Sequence, residues 1–212
     1  MTDAVLAIAS TAEEEFDRQL QTLLDKKYPA LAGVADSEFV TRVESLRPAA
    51  READWPPGDR IPFVVVVGSR VVPTVAAVEK FEVASRSGFT DMQDEIEDYR
   101  PIDGLIVPVA PVYLLLDVDT GADTLNVRPN NALPLITGQG RTPLTVDEGI
   151  AVVTQFPEVF KARNAFQALG SRAANKRIPS FWVSKGAPRL GWCWAGNPHT
   201  WLGAASAGGR IS

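Results

Sequence analysis

The chain has 212 residues, of which 45% are apolar, 22% charged and 8% aromatic, and its formal charge is −5. A globular chain of this size buries roughly 70% of its unfolded surface, so it needs no covalent staple. The single cysteine, Cys193, excludes an internal disulfide and fits a reducing, cytoplasmic setting, and the net acidity argues against nucleic acid as a partner.

The N-terminus, MTDAVLAIASTAEEEF, lacks a basic start, and its apolar run Ala4–Ala9 is too short for a secretory signal. No stretch approaches the roughly 18 apolar residues of a membrane span, so no membrane partner is expected. Thr11-Ala12-Glu13-Glu14 is a capping box, after which Phe16, Leu20, Leu23 and Leu24 recur at helical spacing until Tyr28-Pro29. A second helix starts near Asp36-Ser37, carries Phe39, Val43 and Leu46 on one face, and ends before Pro48. Residues 1–53 therefore predict a helical hairpin. Asp54–Arg60, with Pro56-Pro57-Gly58, is a linker into residues 61–212, the two parts forming one structural unit.

Ile61–Val67 (IPFVVVV) has the β-branched profile of a buried strand. Thr74–Arg86 has no decisive period. Thr90-Asp91-Met92-Gln93 opens a short helix with Met92, Ile96 and Tyr99 inward. Val112–Val118 (VYLLLDV) is a second strand, with Thr124–Val127 pairing to it after a turn at Gly121. Thr145-Val146-Asp147-Glu148 is another capping box, followed by Val146, Ile150 and Val153 at helical spacing. Pro157 separates that helix from one carrying Val159, Ala162, Phe166 and Leu169. Ser180–Ser184 and Leu190–Ala195 read as a hairpin around Lys185-Gly186-Ala187-Pro188, and the glycine-rich last seventeen residues as a loop. The fold class is α+β: an N-terminal helical hairpin, a mixed or antiparallel central sheet, and a C-terminal Trp-bearing hairpin.

One motif is a decoy. YLLLDVDTG places Asp117 and Asp119 after a strand, like the first motif of haloacid-dehalogenase-type phosphatases. No acid follows Glu158 to complete a Mg²⁺ site, and Ala122 and Arg128 stand where an EF-hand needs Gly and Glu. Both aspartates are therefore strand-end or turn residues.

Charge is segregated. Residues 1–60 hold 12 acids against 7 Lys/Arg and residues 61–160 hold 14 against 6, whereas residues 161–212 hold 8 Lys/Arg and no acid. Such a block needs counter-charge, either from the rest of the chain or from a small anionic ligand. Arg172, Lys185, Arg189 and Arg210 are the cations expected to converge if the counter-charge is a ligand, since arginine grips carboxylate or phosphate bidentately; Lys161 and Arg163 sit early on a helix that faces solvent.

The same block carries Trp182, Trp192, Trp194 and Trp201, four of the five tryptophans, with Cys193 and the only histidine, His199. Strand alternation puts Trp192 and Trp194 on one face and Cys193 on the other. A Trp pair on one face is ordinarily core, and beside cations it is also a platform for planar or sugar-like ligands. His199 follows the turn pair Asn197-Pro198, as a structural histidine or a general acid/base. Cys193 is a small buried hydrophobe, or a nucleophile should it face His199. One Cys with one His is a poor zinc set, so neither a metal nor a cofactor is expected.

YRPIDG (99–104), LNVRPNNALP (125–134), TPLTVDEGIAVVTQFPEV (142–159), LGSR (169–172) and GAPRLGWCWAGNPHTWLG (186–203) resemble an uncharacterised actinobacterial family, a domain of unknown function. The resemblance spans the last 115 residues or so and implies a cytosolic protein, with no activity attached. From the residues themselves, the leading expectation is binding, or binding and conversion, of a small anionic or aromatic metabolite. His199 and Cys193 are the candidate catalytic groups. Trp192, Trp194, Trp201, Arg172, Arg189, Arg210, Arg128 and Asn197 are the candidate ligand contacts. The alternative is a non-catalytic interaction module that forms homo-oligomers through its Trp-bearing face.

Overall fold

The computed structural model describes residues 6–160 and 165–212. Four short helices come first: α1 (Ala12–Asp25), α2 (Tyr28–Leu31), α3 (Asp36–Glu44) and α4 (Arg47–Arg51). Thr11 Oγ1 caps α1 by accepting the Glu14 N–H. The helices expected to stop at Tyr28-Pro29 and before Pro48 do end ahead of them, at Asp25 and Glu44, and each proline then sits in the first turn of a further short helix. There the missing N–H costs nothing, because that donor has no intrahelical acceptor. The two-helix hairpin is thus a chain of four helices packed through Phe16, Leu20, Phe39 and Val43.

Strand β1 (Ile61–Val67) follows, then α5 (Thr74–Val78) and the two-residue strands β2 (Glu82–Val83), β3 (Arg86–Ser87), β4 (Phe89–Thr90) and β5 (Arg100–Pro101). Met92, Ile96 and Tyr99 are buried as expected, but the segment closes only one 3-10 turn, Ile96–Asp98. Strand β6 (Val112–Val118) pairs antiparallel with β1, and Thr124–Val127, expected to pair with it, instead ends the 3-10 turn Ala122–Thr124 and continues as a turn. The chain continues through α6 (Pro129–Gly138), β7 (Thr142–Pro143) and α7 (Val146–Gln155), whose capping box forms. It then runs through β8 (Ala165–Gln167), β9 (Ser171–Arg172), β10 (Arg177–Ser184), β11 (Ala187–Trp194), β12 (Leu202–Ala204), β13 (Ser206–Ala207) and β14 (Gly209–Ile211).

Two sheets organise the α+β fold. In the smaller, β6 lies between β1 and β14; in the larger the order is β12-β8-β10-β11-β4. The expected helix through Phe166 and Leu169 is not there: Phe166 lies in β8 and stacks on Phe181 of β10 at 4.9 Å between ring centres. Ala162, Lys161 and Arg163 lie outside the described residues. The hairpin forms with Trp192 opposite Pro179 and Trp194 opposite Arg177. Its turn is only Lys185-Gly186, both at positive φ, the geometry that matches the twist of the flanking strands. The C-terminal segment is likewise not a loop. Residues 202–207 are buried and strand-forming, and a Cβ on Gly203 would come within 2.3 Å of the Gly121 carbonyl. Small residues are what let these backbones approach.

One apolar cluster runs from Phe16 through β1, β6 and α7 to Phe166, Phe181 and Leu190 of the larger sheet. Strand β1 is buried along its whole length, which explains its unbroken apolar run. Its open edge is closed by a side chain: the buried Gln19 amide donates to Phe63 O (2.9 Å) and accepts the Val65 N–H (2.7 Å).

The most demanding polar contact joins the C-terminus to α7. Glu148 and Arg210 side chains are 0% and 6% exposed, and Arg210 grips both carboxylate oxygens, at 2.5 and 2.8 Å. Arg210 also donates to Thr142 Oγ1 and Pro143 O, while Glu148 accepts the Thr145 N–H and the Tyr113 hydroxyl. Removing one member leaves the other buried without a partner, so Arg210→Met should lower stability by about 3–5 kcal/mol in urea unfolding. The double variant Arg210→Met/Glu148→Gln should recover part of that loss. A single variant as stable as wild type would contradict the assignment.

Candidate functional site

Strand alternation divides the expected Trp/Arg/His cluster between two faces of the larger sheet. Trp192 and Trp194 project on the side of Leu190 and Phe181 but extend past the core, at 39% and 46% exposure. The core expectation for this pair fails because the sheet reaches beyond the elements that cover it. The Arg177 guanidinium lies over the Trp192 ring at 4.1 Å.

The other face carries Trp182 beneath the Arg189 guanidinium (4.8 Å), with Trp201, 41% exposed, edge-on to Trp182. His199 stands edge-on to Trp201 at 5.6 Å. Its Nε2 has no hydrogen-bond partner among the described residues, and burial lowers its pKa. Cys193 is half-buried, and burial pushes its thiol pKa up, the opposite of what an activated nucleophile needs. No hydrogen bond links Cys193 to His199. Asn197 shapes the turn by donating its N–H to Trp194 O at 3.1 Å, and Arg128 is the exposed residue preceding α6.

The cations do not converge as expected. Arg189 meets Asp91, Arg177 meets Glu95 and Arg210 meets Glu148, so Arg189 and Arg210 already have their counter-charge within the chain. Lys185 is exposed in the hairpin turn. Arg172 differs. Its Nη1 donates only to the carbonyls of Leu169 (2.8 Å) and Ser171 (3.0 Å), and no carboxylate of the described residues lies within ion-pair distance. Burial lowers its pKa.

Arg172 sits directly across the β5–β9 ladder from Arg100, an arrangement of like charges that is unfavourable without an anion. Arg100 lines a cleft of about 780 Å³. Its walls are the Gly68–Arg70 turn after β1, Tyr99–Pro101, the segment Leu105–Pro111 leading into β6, the start of α7 and Ser171. Sequence fixes each wall. Gly68 ends the apolar run of β1 and donates its N–H to Pro111 O; Ser171 Oγ accepts the Val146 N–H at the helix start. Asp147, the second residue of α7, accepts the Ser69 N–H at 2.9 Å, and burial raises its carboxyl pKa. Tyr113 borders the cleft with its hydroxyl on Glu148, and burial raises its pKa too. Among the described residues no group of three or more His, Cys, Asp or Glu is placed to hold a metal. No helix there is long and apolar enough to cross a membrane.

The sequence contained signs of this cleft. Three of the five segments that carry the resemblance, YRPIDG, TPLTVDEGIAVVTQFPEV and LGSR, meet at it, whereas the Trp-rich segment lies elsewhere. A sequence model for a family of unknown function (DUF5701) matches residues 22–212. The chain belongs to that family. No curated protein and no solved structure matches it. The DUF5701 match extends from within α1 to the C-terminus, so cleft and Trp-bearing hairpin both fall inside it.

The single histidine of this DUF5701 chain gives a direct pH test. Because burial lowers the folded-state pKa of His199 below the unfolded value near 6.5, the unfolded chain takes up the proton first on acidification. The stability contributed by neutral His199 is complete above about pH 6.5 and is lost as pH falls below it. Urea midpoints from pH 7.5 to 5 should therefore fall more steeply for wild type than for His199→Gln; parallel profiles would contradict the burial of a neutral imidazole.

Proposed function

We propose that the protein binds a small anionic metabolite, and that the binding site is the cleft at the start of α7. The ligand class is the one expected from the charge segregation, but the place moves away from the Trp-bearing hairpin. The observation that carries this reading is a set of arginines without a carboxylate partner among the described residues, beside an open cleft: Arg70 and Arg100 in its lining and Arg172 across from Arg100. Cations left unneutralised next to a cavity supply charge-assisted hydrogen bonds to an incoming carboxylate or phosphate. The lone cysteine and the motif resemblance support a cytoplasmic protein of an actinobacterium, with no nucleic acid or membrane partner.

Calorimetric titration with inorganic phosphate at low ionic strength tests the site. Weak binding is expected, weakening further as salt rises. Arg100→Gln should reduce the affinity roughly tenfold or more without lowering the thermal unfolding midpoint, since Arg100 is exposed, makes no ion pair among the described residues and stands opposite a like charge. Unchanged phosphate affinity in that variant would overturn the placement.

A second reading has its own support. Trp192, Trp194 and Trp201 present unusually large exposed aromatic surface, the kind that serves as an interface between copies of a chain. Light scattering should then give a dimer for wild type and a monomer for Trp192→Ser/Trp194→Ser. A monomeric wild type would remove this reading.

A further inference from the structure

Two charged groups of the cleft lining, Arg100 and Asp147, have no ion-pair partner among the described residues, and Arg172 lies just outside the lining. Arg172 is half-buried and satisfied only by backbone carbonyls, and Arg100 faces it across the ladder. Partial desolvation of a cation without a counter-charge is unfavourable, and it lowers the Arg172 pKa.

Asp147 presents the complementary problem. Its carboxyl is anchored by Ser69, and no basic side chain of the described residues lies within ion-pair distance. Arg70 acts on it only through its field, too weakly to offset desolvation, so the carboxyl pKa rises. Arg172 is fastened to the carbonyls of Leu169 and Ser171, and Asp147 to the Ser69 N–H. The strand of the one meets the helix of the other where Ser171 Oγ accepts the Val146 N–H.

We propose that the cleft takes a zwitterion, a small amino acid-like molecule whose carboxylate meets Arg100, with Arg172 behind it across the ladder, and whose ammonium meets Asp147. This rests on the anion-binding reading above and adds the second pole. A bound ammonium gives the Asp147 carboxylate the opposite charge it lacks, and a bound carboxylate offsets the Arg100–Arg172 repulsion. One ligand corrects both defects. The remaining charged side chains of the lining, Arg70 and Glu97, are exposed and stay solvated with the cleft empty or filled.

The test is calorimetry at pH 7 and fixed ionic strength with matched pairs: 3-aminopropanoate against propanoate, 4-aminobutanoate against butanoate, 6-aminohexanoate against hexanoate. At least one amino acid should bind about tenfold or more tightly than its plain carboxylate. Asp147→Asn, which keeps an oxygen for the Ser69 N–H, should erase that preference while leaving the plain carboxylate unchanged. Arg100→Gln should weaken both members of the pair, and thermal unfolding of each variant establishes that it is folded. Equal binding within every pair, or a preference that survives in Asp147→Asn, overturns the proposal. If phosphate binds but no member of any pair does, the zwitterion claim falls and the anion site stands; if phosphate fails as well, both fall.

Discussion

The buried Glu148–Arg210 pair is the contact on which the rest of the arrangement depends. It is costly to desolvate, and two parallel hydrogen bonds alone would barely offset that cost. Tyr113 of β6, Thr142 and Pro143 of β7 and the Thr145 N–H supply the remaining partners, drawn from separate parts of the chain. Glu148 is also the third residue of α7, so the same carboxylate closes the capping box that starts the helix. Fixing that start fixes Val146 and Asp147, and with them one wall of the cleft. The C-terminal strand therefore acts at a distance from the cleft, by setting where the helix begins.

The charge segregation of the chain is mostly a docking device. Cations of the acid-free block reach back to acids of the middle segment, Arg177 to Glu95, Arg189 to Asp91 and Arg210 to Glu148. The first two fasten the hairpin to the segment around Met92, and the third fastens β14 to α7. Among the described residues Arg172 makes no such pair, nor do the exposed Lys176 and Lys185, and of these three Arg172 stands across the ladder from the cleft residue Arg100. A sequence count of charges cannot separate these cases, because the distinction is one of spatial partners.

Strong local signals were legible in advance: the N-cap at Thr11, the capping box at Thr145, the continuous apolar runs of Ile61–Val67 and Val112–Val118, and the alternation of Leu190, Trp192 and Trp194. At Thr11 the box expected with Glu14 forms only its Thr11 half. The failures have a common cause in tertiary context. Phe166 has helical-looking neighbours but finds Phe181 across a ladder; Gly203 and Ala204 have weak strand preference but fit where only small residues can. Pro134 and the Asn pair hid α6, which forms because Pro129 sits in its first turn and Ala132 and Ile136 are buried against Ile178. The site was misplaced for a related reason. Tryptophan density drew attention to the hairpin, whereas the cleft is assembled from five separated segments, each unremarkable alone.

The central claim is that ligand chemistry belongs to the cleft at the start of α7, with the Trp-bearing faces outside it. Two-dimensional ¹H–¹⁵N spectra recorded during titration with phosphate separate these places directly, because backbone amides of Ser69, Arg70, Arg100, Val146 and Asp147 and the indole N–H groups of Trp192, Trp194 and Trp201 report on different surfaces. The account predicts saturable shifts of the cleft amides with the three indole signals stationary. Shifts concentrated on the indoles, with the cleft amides unmoved, would contradict it.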